Sequence, residues 1–217
     1  MMATNEKKPP GAYLRRGLYL ILTEPRDGYE TLGRWAVEAG LSAVQLRYKG
    51  HDERKHLALA HALRQITKGT GTLFIVNDRP DIAFASQADG VHLGQDDLPA
   101  AEARKLIGTA MLLGLSTHNL KQVAAANDAP VDYIGFGPLF ATNSKERPDP
   151  VTGPDALKAA LAISRHPVVA IGGLNLDRIR RLQSSPHNVA VIRAVSDAPD
   201  PLTAMRAIHA ICLDVKL

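Results

Sequence analysis

The feature that most constrains this chain is an alternation of two textures. Short runs rich in Val, Ile and Leu stand at 18–22, 43–46, 73–76, 91–93, 111–115, 133–136, 168–171 and 189–192. Each is brief and nearly continuous in apolar character, as a strand buried on both faces must be. Between and after them, stretches with helical spacing occupy 31–39, 53–67, 82–86, 100–107, 120–127, 155–164, 176–183 and 202–212. Parallel strands need such crossovers, because a two-residue turn cannot bring the chain back to the same end of a sheet. Eight strand–helix units in 217 residues predict an α/β fold, a single (β/α)8 TIM barrel at the small end of its size range. An open doubly wound sheet is the alternative, and the lack of a G-x-G-x-x-G after the first run weighs against its dinucleotide-binding form. No linker breaks the pattern. The expected organisation is a flexible tail over 1–16, containing Pro9-Pro10, and one barrel domain over 17–217. Gly40 and Gly69 stand where helix C-caps belong, and Asn175 and Asp97 where helices start.

Composition removes several classes of function. One cysteine cannot close an internal disulfide, which points to a reduced, cytoplasmic setting. No apolar run approaches the length of a membrane span, and the opening MMATNEKKPPG lacks the apolar segment of a signal peptide. The 26 Lys and Arg exceed the 22 Asp and Glu by only four, and aromatics are 5% of the chain. A nucleic-acid surface needs clustered cations, usually with aromatics, and the sequence shows neither. A pocket for a small anionic molecule fits better. The oligomeric state stays open, with a homo-oligomer allowed.

In a barrel the chemistry sits at the C-terminal strand ends. After the second run, alternation puts Gln45, Arg47 and Lys49 on one face, three long donors suited to a polyanion. The third run ends Asn77-Asp78-Arg79 and the fourth Gly94-Gln95-Asp96-Asp97. Asp78 and Asp97, on neighbouring strands, could hold Mg²⁺, which takes one or two carboxylates with phosphates and waters. Alternatively each merely caps the next helix. The fifth run leads to Ser116 and His118, with no base assigned to the serine; His92, inside the fourth run, reads as a satisfied structural histidine. The long segment 138–152 carries Thr142, Ser144 and Lys145. The seventh run ends in Gly172-Gly173, whose N–H groups can approach an oxyanion, and the loops after strands seven and eight often bind phosphate. This locates a second anion site near Gly172, Gly173 and residues 192–194. Two anion sites and a metal suggest a transferase joining two phosphorylated molecules.

Taken in order, Gln45-Leu46-Arg47-Tyr48-Lys49, Asn77-Asp78-Arg79, 90–97, Gly114-Leu115-Ser116-Thr117-His118, Gly135-Phe136-Gly137-Pro138, Thr142-Asn143-Ser144-Lys145 and Ile171-Gly172-Gly173 resemble the thiamine phosphate synthase family. Any one motif is weak; seven in series, spread over about Gly17 to Ile208, are specific. The resemblance implies a TIM barrel that joins hydroxymethylpyrimidine diphosphate to thiazole phosphate, releasing pyrophosphate. It implies Mg²⁺ at Asp78 and Asp97. It assigns catalysis to Arg47, Lys49, Lys145 and Ser116, and diphosphate binding to Arg47, Lys49, Asn77 and Lys145. Gln45 would lie beside the pyrimidine. Thr142, Ser144, Gly172, Gly173, Ile192 and Arg193 would meet the thiazole phosphate. Three positions depart from the family pattern. Ser144 stands for a second Thr, Arg193 for a Ser, and 184–188 reads Ser-Ser-Pro-His-Asn for a Gly-Ala-Asp-like turn. A thiazole tautomerase on the same barrel, or a non-catalytic binder of thiamine phosphate, are the competing readings.

Overall fold

The computed structural model describes residues 13–142, 149–182 and 185–214. The chain runs β1 (Gly17–Leu22), α1 (Tyr29–Glu38), β2 (Ala43–Leu46), α2 (Glu53–Thr67), β3 (Leu73–Asn77) and α3 (Pro80–Ala85). It continues through β4 (Gly90–Leu93), α4 (Ala100–Ile107), β5 (Leu112–Thr117), α5 (Leu120–Ala126), β6 (Tyr133–Phe136) and α6 (Gly153–Ile163). It ends β7 (Val168–Ala170), α7 (Leu176–Arg180), β8 (Asn188–Val191), α8 (Arg193–Ser196) and α9 (Pro201–Asp214). The strands close in chain order into a parallel barrel, β8 pairing back onto β1. The expected TIM barrel is therefore the fold, and the open-sheet alternative falls.

Strand register sorts the side chains into two layers. Outward residues such as Leu18, Leu20, Val44, Phe74, Val91 and Ile134 pack against the helices in the main core. Inward residues form a second cluster: Tyr19, Ile21, Ala43, Leu73, Ile75, Leu112, Tyr133, Val169 and Ala190. Leu14 belongs to this inner cluster, and the Arg15 and Gly17 carbonyls accept from the Asn188 side chain at 2.7 and 3.0 Å. Residues 13–16, expected as the end of the tail, therefore close the floor of the barrel. Residues 1–12 lie outside the described part.

Local signals explain most helix ends. Asp52, Asn119 and Asn175 accept from the backbone N–H three residues on, at 3.0, 3.0 and 2.9 Å. Gly40 and Gly69 follow α1 and α2 with φ of 69° and 76°. At the barrel floor a device recurs. Asp89 and Asp132, each just before a strand, accept the N–H of Phe74 and Leu113 and pair with Arg64 and Arg104 at 3.0 and 2.8 Å. Each carboxylate thus ties two adjacent strands to a helix.

Candidate active site

A cavity of about 610 Å³ opens at the C-terminal strand ends, a size suited to small-molecule ligands. Its floor is apolar, with Ile21, Ile171 and Ala190 among the lining residues. One side of the wall is polar and comes from β2 to β5: Gln45, Arg47, Asn77, His92 and Ser116. The other comes from the ends of β6 to β8: Thr142, Gly172, Gly173, Ile192 and Arg193. Nine of the expected site residues therefore share one cavity. Lys49 lies exposed beyond the end of β2 and is not among the lining residues. Ser144 and Lys145 lie outside the described residues.

Gln45 is 1% exposed, and its Nε2 has no hydrogen-bond partner among the described residues. Gln45 is a lining residue of the cavity, and a buried amide donor without an acceptor loses a hydrogen bond that it had in water. Arg47 is anchored by its backbone N–H to Leu22 O at 2.9 Å, and its Nη1 reaches Thr23 Oγ1 at 3.4 Å.

Asp78 and Asp97 do not cap helices. The N-cap of α3 is Arg79 and that of α4 is Pro99, neither with a side-chain cap, so the start expected at Asp97 falls two residues later. Asp97 instead accepts the Gly94 N–H at 2.5 Å, folding back onto the end of β4. Asp78 donates its own N–H to His92 O at 2.8 Å and takes the left-handed conformation at φ 62°. The two residues thus follow adjacent strands, Asp78 tied to β4 by its backbone and Asp97 by its carboxylate, and neither is among the residues that line the cavity. No group of three or more His, Cys, Asp or Glu that could hold a metal occurs among the described residues. Two carboxylates without a third protein ligand fit Mg²⁺, which completes its shell with substrate phosphates and water, and do not fit a closed zinc site.

The second half of the site is set by close backbone approach. Leu139 and Phe140 continue past β6 and donate to Ile171 O and Gly172 O at 2.9 and 3.1 Å. Gly173 sits at φ 62°, and a Cβ there would lie 2.6 Å from Ala141 O. Only glycine lets the β7 turn and the 139–142 segment pack this closely. Arg193, expected just past the eighth strand, lies in the first turn of α8, exposed at the cavity rim. The chain leaves the sheet at Ile192, whose φ and ψ of −118° and −83° are not extended.

Three more lining residues stand outside the expected set: the sequence names His118 and His92 without a site role and does not single out Asp149. His118 directs Nδ1 at Gly137 O, 2.6 Å away, and Nε2 at Asp149 Oδ2, 3.5 Å away, so it bridges β5 to both ends of the 138–149 segment. Asp149 lines the same cavity. His92 is satisfied, as expected, but through Tyr133 Oη at 3.2 Å and Ser116 Oγ at 3.0 Å, and it too faces the cavity. Its place at the centre of an inward strand position was the available signal.

The family model described as thiamine monophosphate synthase matches residues 18–195. The thiamine-phosphate synthase of Vibrio campbellii is 43% identical over 190 residues, covering 86% of this chain and 93% of that protein. The enzyme of the same name from Chlorobium phaeovibrioides is 41% identical over 194 residues, covering 89% and 93%. This chain belongs to the thiamine monophosphate synthase family. A solved thiamine phosphate pyrophosphorylase from Pyrococcus furiosus superposes with a TM-score of 0.83 at 33% identity, covering 93% of this chain and 97% of that one. The family match ends two residues after Arg193, so it includes the strand ends that line the cavity.

Proposed function

We propose that the protein is a thiamine phosphate synthase, a transferase that moves the hydroxymethylpyrimidine group from its diphosphate to thiazole phosphate. The observation that carries this reading is one cavity with two polar half-sites. Gln45, Arg47, Asn77 and Ser116 lie on the β2–β5 side and Gly172, Gly173 and Arg193 on the β6–β8 side. Such a reaction needs no protein nucleophile. The bond from the pyrimidine methylene carbon to the diphosphate oxygen breaks, its electron pair leaves with pyrophosphate, and the thiazole nitrogen forms the new C–N bond. The protein's task is to hold the departing charge and align the two molecules.

Arg47 and Asn77 receive the diphosphate, and Lys49 and Lys145 join them by their place in the family motifs. The Gln45 amide and the Ser116 hydroxyl meet the pyrimidine. The apolar floor of Ile21 and Ile171 keeps water from the electron-poor methylene. Asp78 and Asp97 would hold Mg²⁺, which supplies charge neutralisation on the leaving group. Thr142, the Gly172-Gly173 backbone and Arg193 receive the thiazole phosphate. The setting is cytoplasmic in this reading. Lone Cys212 is buried and free, its thiol pushed up to about 12 by burial, and no helix among the described residues is long and apolar enough to cross a membrane.

The test is pyrophosphate release from hydroxymethylpyrimidine diphosphate, with and without thiazole phosphate, in Mg²⁺ and then in chelator. Release that needs both substrates and the metal supports the synthase. Turnover of a thiazole carboxylate phosphate with no second substrate would make it a tautomerase, and binding without turnover a binding protein.

A further inference from the structure

Behind Ser116 a hydrogen-bonded chain runs into the barrel interior. Ser116 Oγ lies 3.0 Å from His92 Nε2, His92 Nδ1 lies 3.2 Å from Tyr133 Oη, and Tyr133 Oη lies 3.0 Å from Tyr19 Oη. Register places all four side chains inward: His92 pairs with Gly114, Gly114 with Tyr133, and Ser116 with Gly135. The room is made by glycine. A Cβ at Gly114 would overlap both Tyr133 and the His92 ring, and one at Gly135 would lie 3.3 Å from His92 Cε1. The tyrosine rings meet edge to face, with centroids 6.2 Å apart. Three groups from β1, β6 and β4 are thus packed in file behind one serine that lines the cavity.

Protons in such a file can be ordered in two ways. If Ser116 donated to His92, the sequence of donation would run Ser116, His92 Nδ1–H, Tyr133, Tyr19. The last proton, on the hydroxyl of Tyr19, a residue only 2% exposed, would have no acceptor among the described residues. In the opposite order Tyr19 donates to Tyr133, Tyr133 donates to His92 Nδ1, and His92 Nε2–H donates to Ser116 Oγ. Every interior proton is then used, and the Ser116 proton is left pointing at the cavity. A buried donor without an acceptor loses a hydrogen bond it had in water, so the second order is favoured. Burial raises both phenols, Tyr19 well above its ordinary range, so neither ionises to supply a different order.

We propose that Tyr19, Tyr133 and His92 are positioning residues that fix the polarity of Ser116, directing its one proton to an acceptor on the ligand. The ligand atom that receives this proton is therefore an acceptor, such as an unprotonated ring nitrogen. This second statement rests on the synthase reading; the polarity itself does not.

The test begins with the ligand-free protein. Long-range ¹H–¹⁵N spectra of protein labelled at histidine report which His92 nitrogen is protonated. The proposal expects a neutral ring with the proton on Nε2 in the wild type. Tyr19→Phe should keep that tautomer, because Tyr133 then becomes the end of the file and still must donate to His92. Tyr133→Phe should lose the preference, because Nδ1 no longer has a donor. The two variants each delete one interior hydroxyl, so general loosening of the core would affect them alike, and thermal unfolding checks that both are folded. With hydroxymethylpyrimidine diphosphate as substrate, Tyr133→Phe should lower kcat/KM by about tenfold, while KM for thiazole phosphate stays within about twofold. A wild-type His92 protonated on Nδ1 or on both nitrogens overturns the proposal, as does a Tyr133→Phe protein with unchanged tautomer. If the wild type released no pyrophosphate, the synthase reading would fall and the tautomer result would still decide the polarity.

Discussion

Replacing Gly173 by alanine tests how the thiazole half of the site is built. Gly173 holds φ 62°, a region that costs an L-residue about 1–2 kcal/mol. The added Cβ would also lie 2.6 Å from Ala141 O and 2.9 Å from Phe140 Cβ. To reach even a tight contact, the Ala141 carbonyl must retreat by about 0.4 Å or more, and the segment is held there by Phe140 N–H on Gly172 O. The sum is about 2–3 kcal/mol of destabilisation, well inside the roughly 5–15 kcal/mol that a domain of this size has to lose. Ala141 carries Thr142 with it, so the cradle for the second phosphate shifts while Arg47, just past β2, and Asn77 and Ser116, on β3 and β5, do not. KM for thiazole phosphate should rise about tenfold, worth about 1.4 kcal/mol, and KM for the pyrimidine diphosphate should change less than about twofold. Gly40→Ala is the control. It has φ 69° but nothing within 4 Å of its Cβ, so it pays the backbone term alone and should leave both KM values unchanged. Steady-state kinetics with each substrate varied in turn, beside thermal melts, read out both quantities. If Gly173→Ala melts like Gly40→Ala and keeps its KM for thiazole phosphate, the 141–142 segment does not form that subsite.

Arg193, exposed at the cavity rim, should act by charge: Arg193→Ser is expected to raise KM for thiazole phosphate about tenfold and to flatten its dependence on salt, and a fall in KM would show that the side chain obstructs the site. Asp132→Ala removes the acceptor of Leu113 N–H and the partner of Arg104, both at 2.8 Å, and should cost about 2–4 kcal/mol in urea unfolding without changing KM for either substrate. Burial, then Arg15, holds His209 below its ordinary value, and burial, then Arg79, does the same for His56. Below about pH 6.5 the unfolded chain therefore binds protons that the folded chain refuses, so stability should be full above that pH and fall as the solution is acidified. His209 Nδ1 accepts the Leu18 N–H at 3.1 Å, so His209→Gln should remove part of the loss, seen as a smaller shift of the urea midpoint between pH 7.5 and 5.5.

What the sequence revealed and what it hid divide along one physical line. Properties carried by a single segment were legible. The helices Glu53–Thr67 and Ala100–Ile107 end where their periodicity ends, and the Asn175 cap can be read from its own neighbourhood. Alternation placed Gln45 and Arg47 on the inward side of β2 because period two needs no partner strand. Departures begin where backbone direction changes at a strand end. Alternation carried on to Lys49, but β2 stops at Leu46, so the third donor lies outside the lining. The apolar run 189–192 hid the turn at Ile192 that lifts Arg193 into α8. Asp97, in good sequence context for a cap, is taken instead by Gly94 N–H across a three-residue loop.

The interior file behind Ser116 lay furthest from view, because each member belongs to a different strand and is ordinary in its own context. Tyr19 and Tyr133 are single aromatics within apolar runs, and His92 reads as a satisfied histidine. Only the register, which carries Tyr133 next to Gly114 and Gly114 next to His92, turns three bland residues into one hydrogen-bonded line. A trace was nevertheless present. Gly90, Gly114 and Gly135 occupy inward positions where a barrel strand otherwise carries a branched side chain; a Cβ would strike Ile75 and Leu112 at the first, Tyr133 and His92 at the second, and press on His92 at the third. Glycine weakens a strand, so three of them on neighbouring strands must admit something large. Gly90 admits the apolar Ile75 and Leu112, and Gly114 and Gly135 admit the polar column that ends at the ligand cavity. The packing of the core and the polarity of the site are therefore one arrangement, and a substitution that fills the space at Gly135 should reach Ser116 through His92 before it reaches the fold.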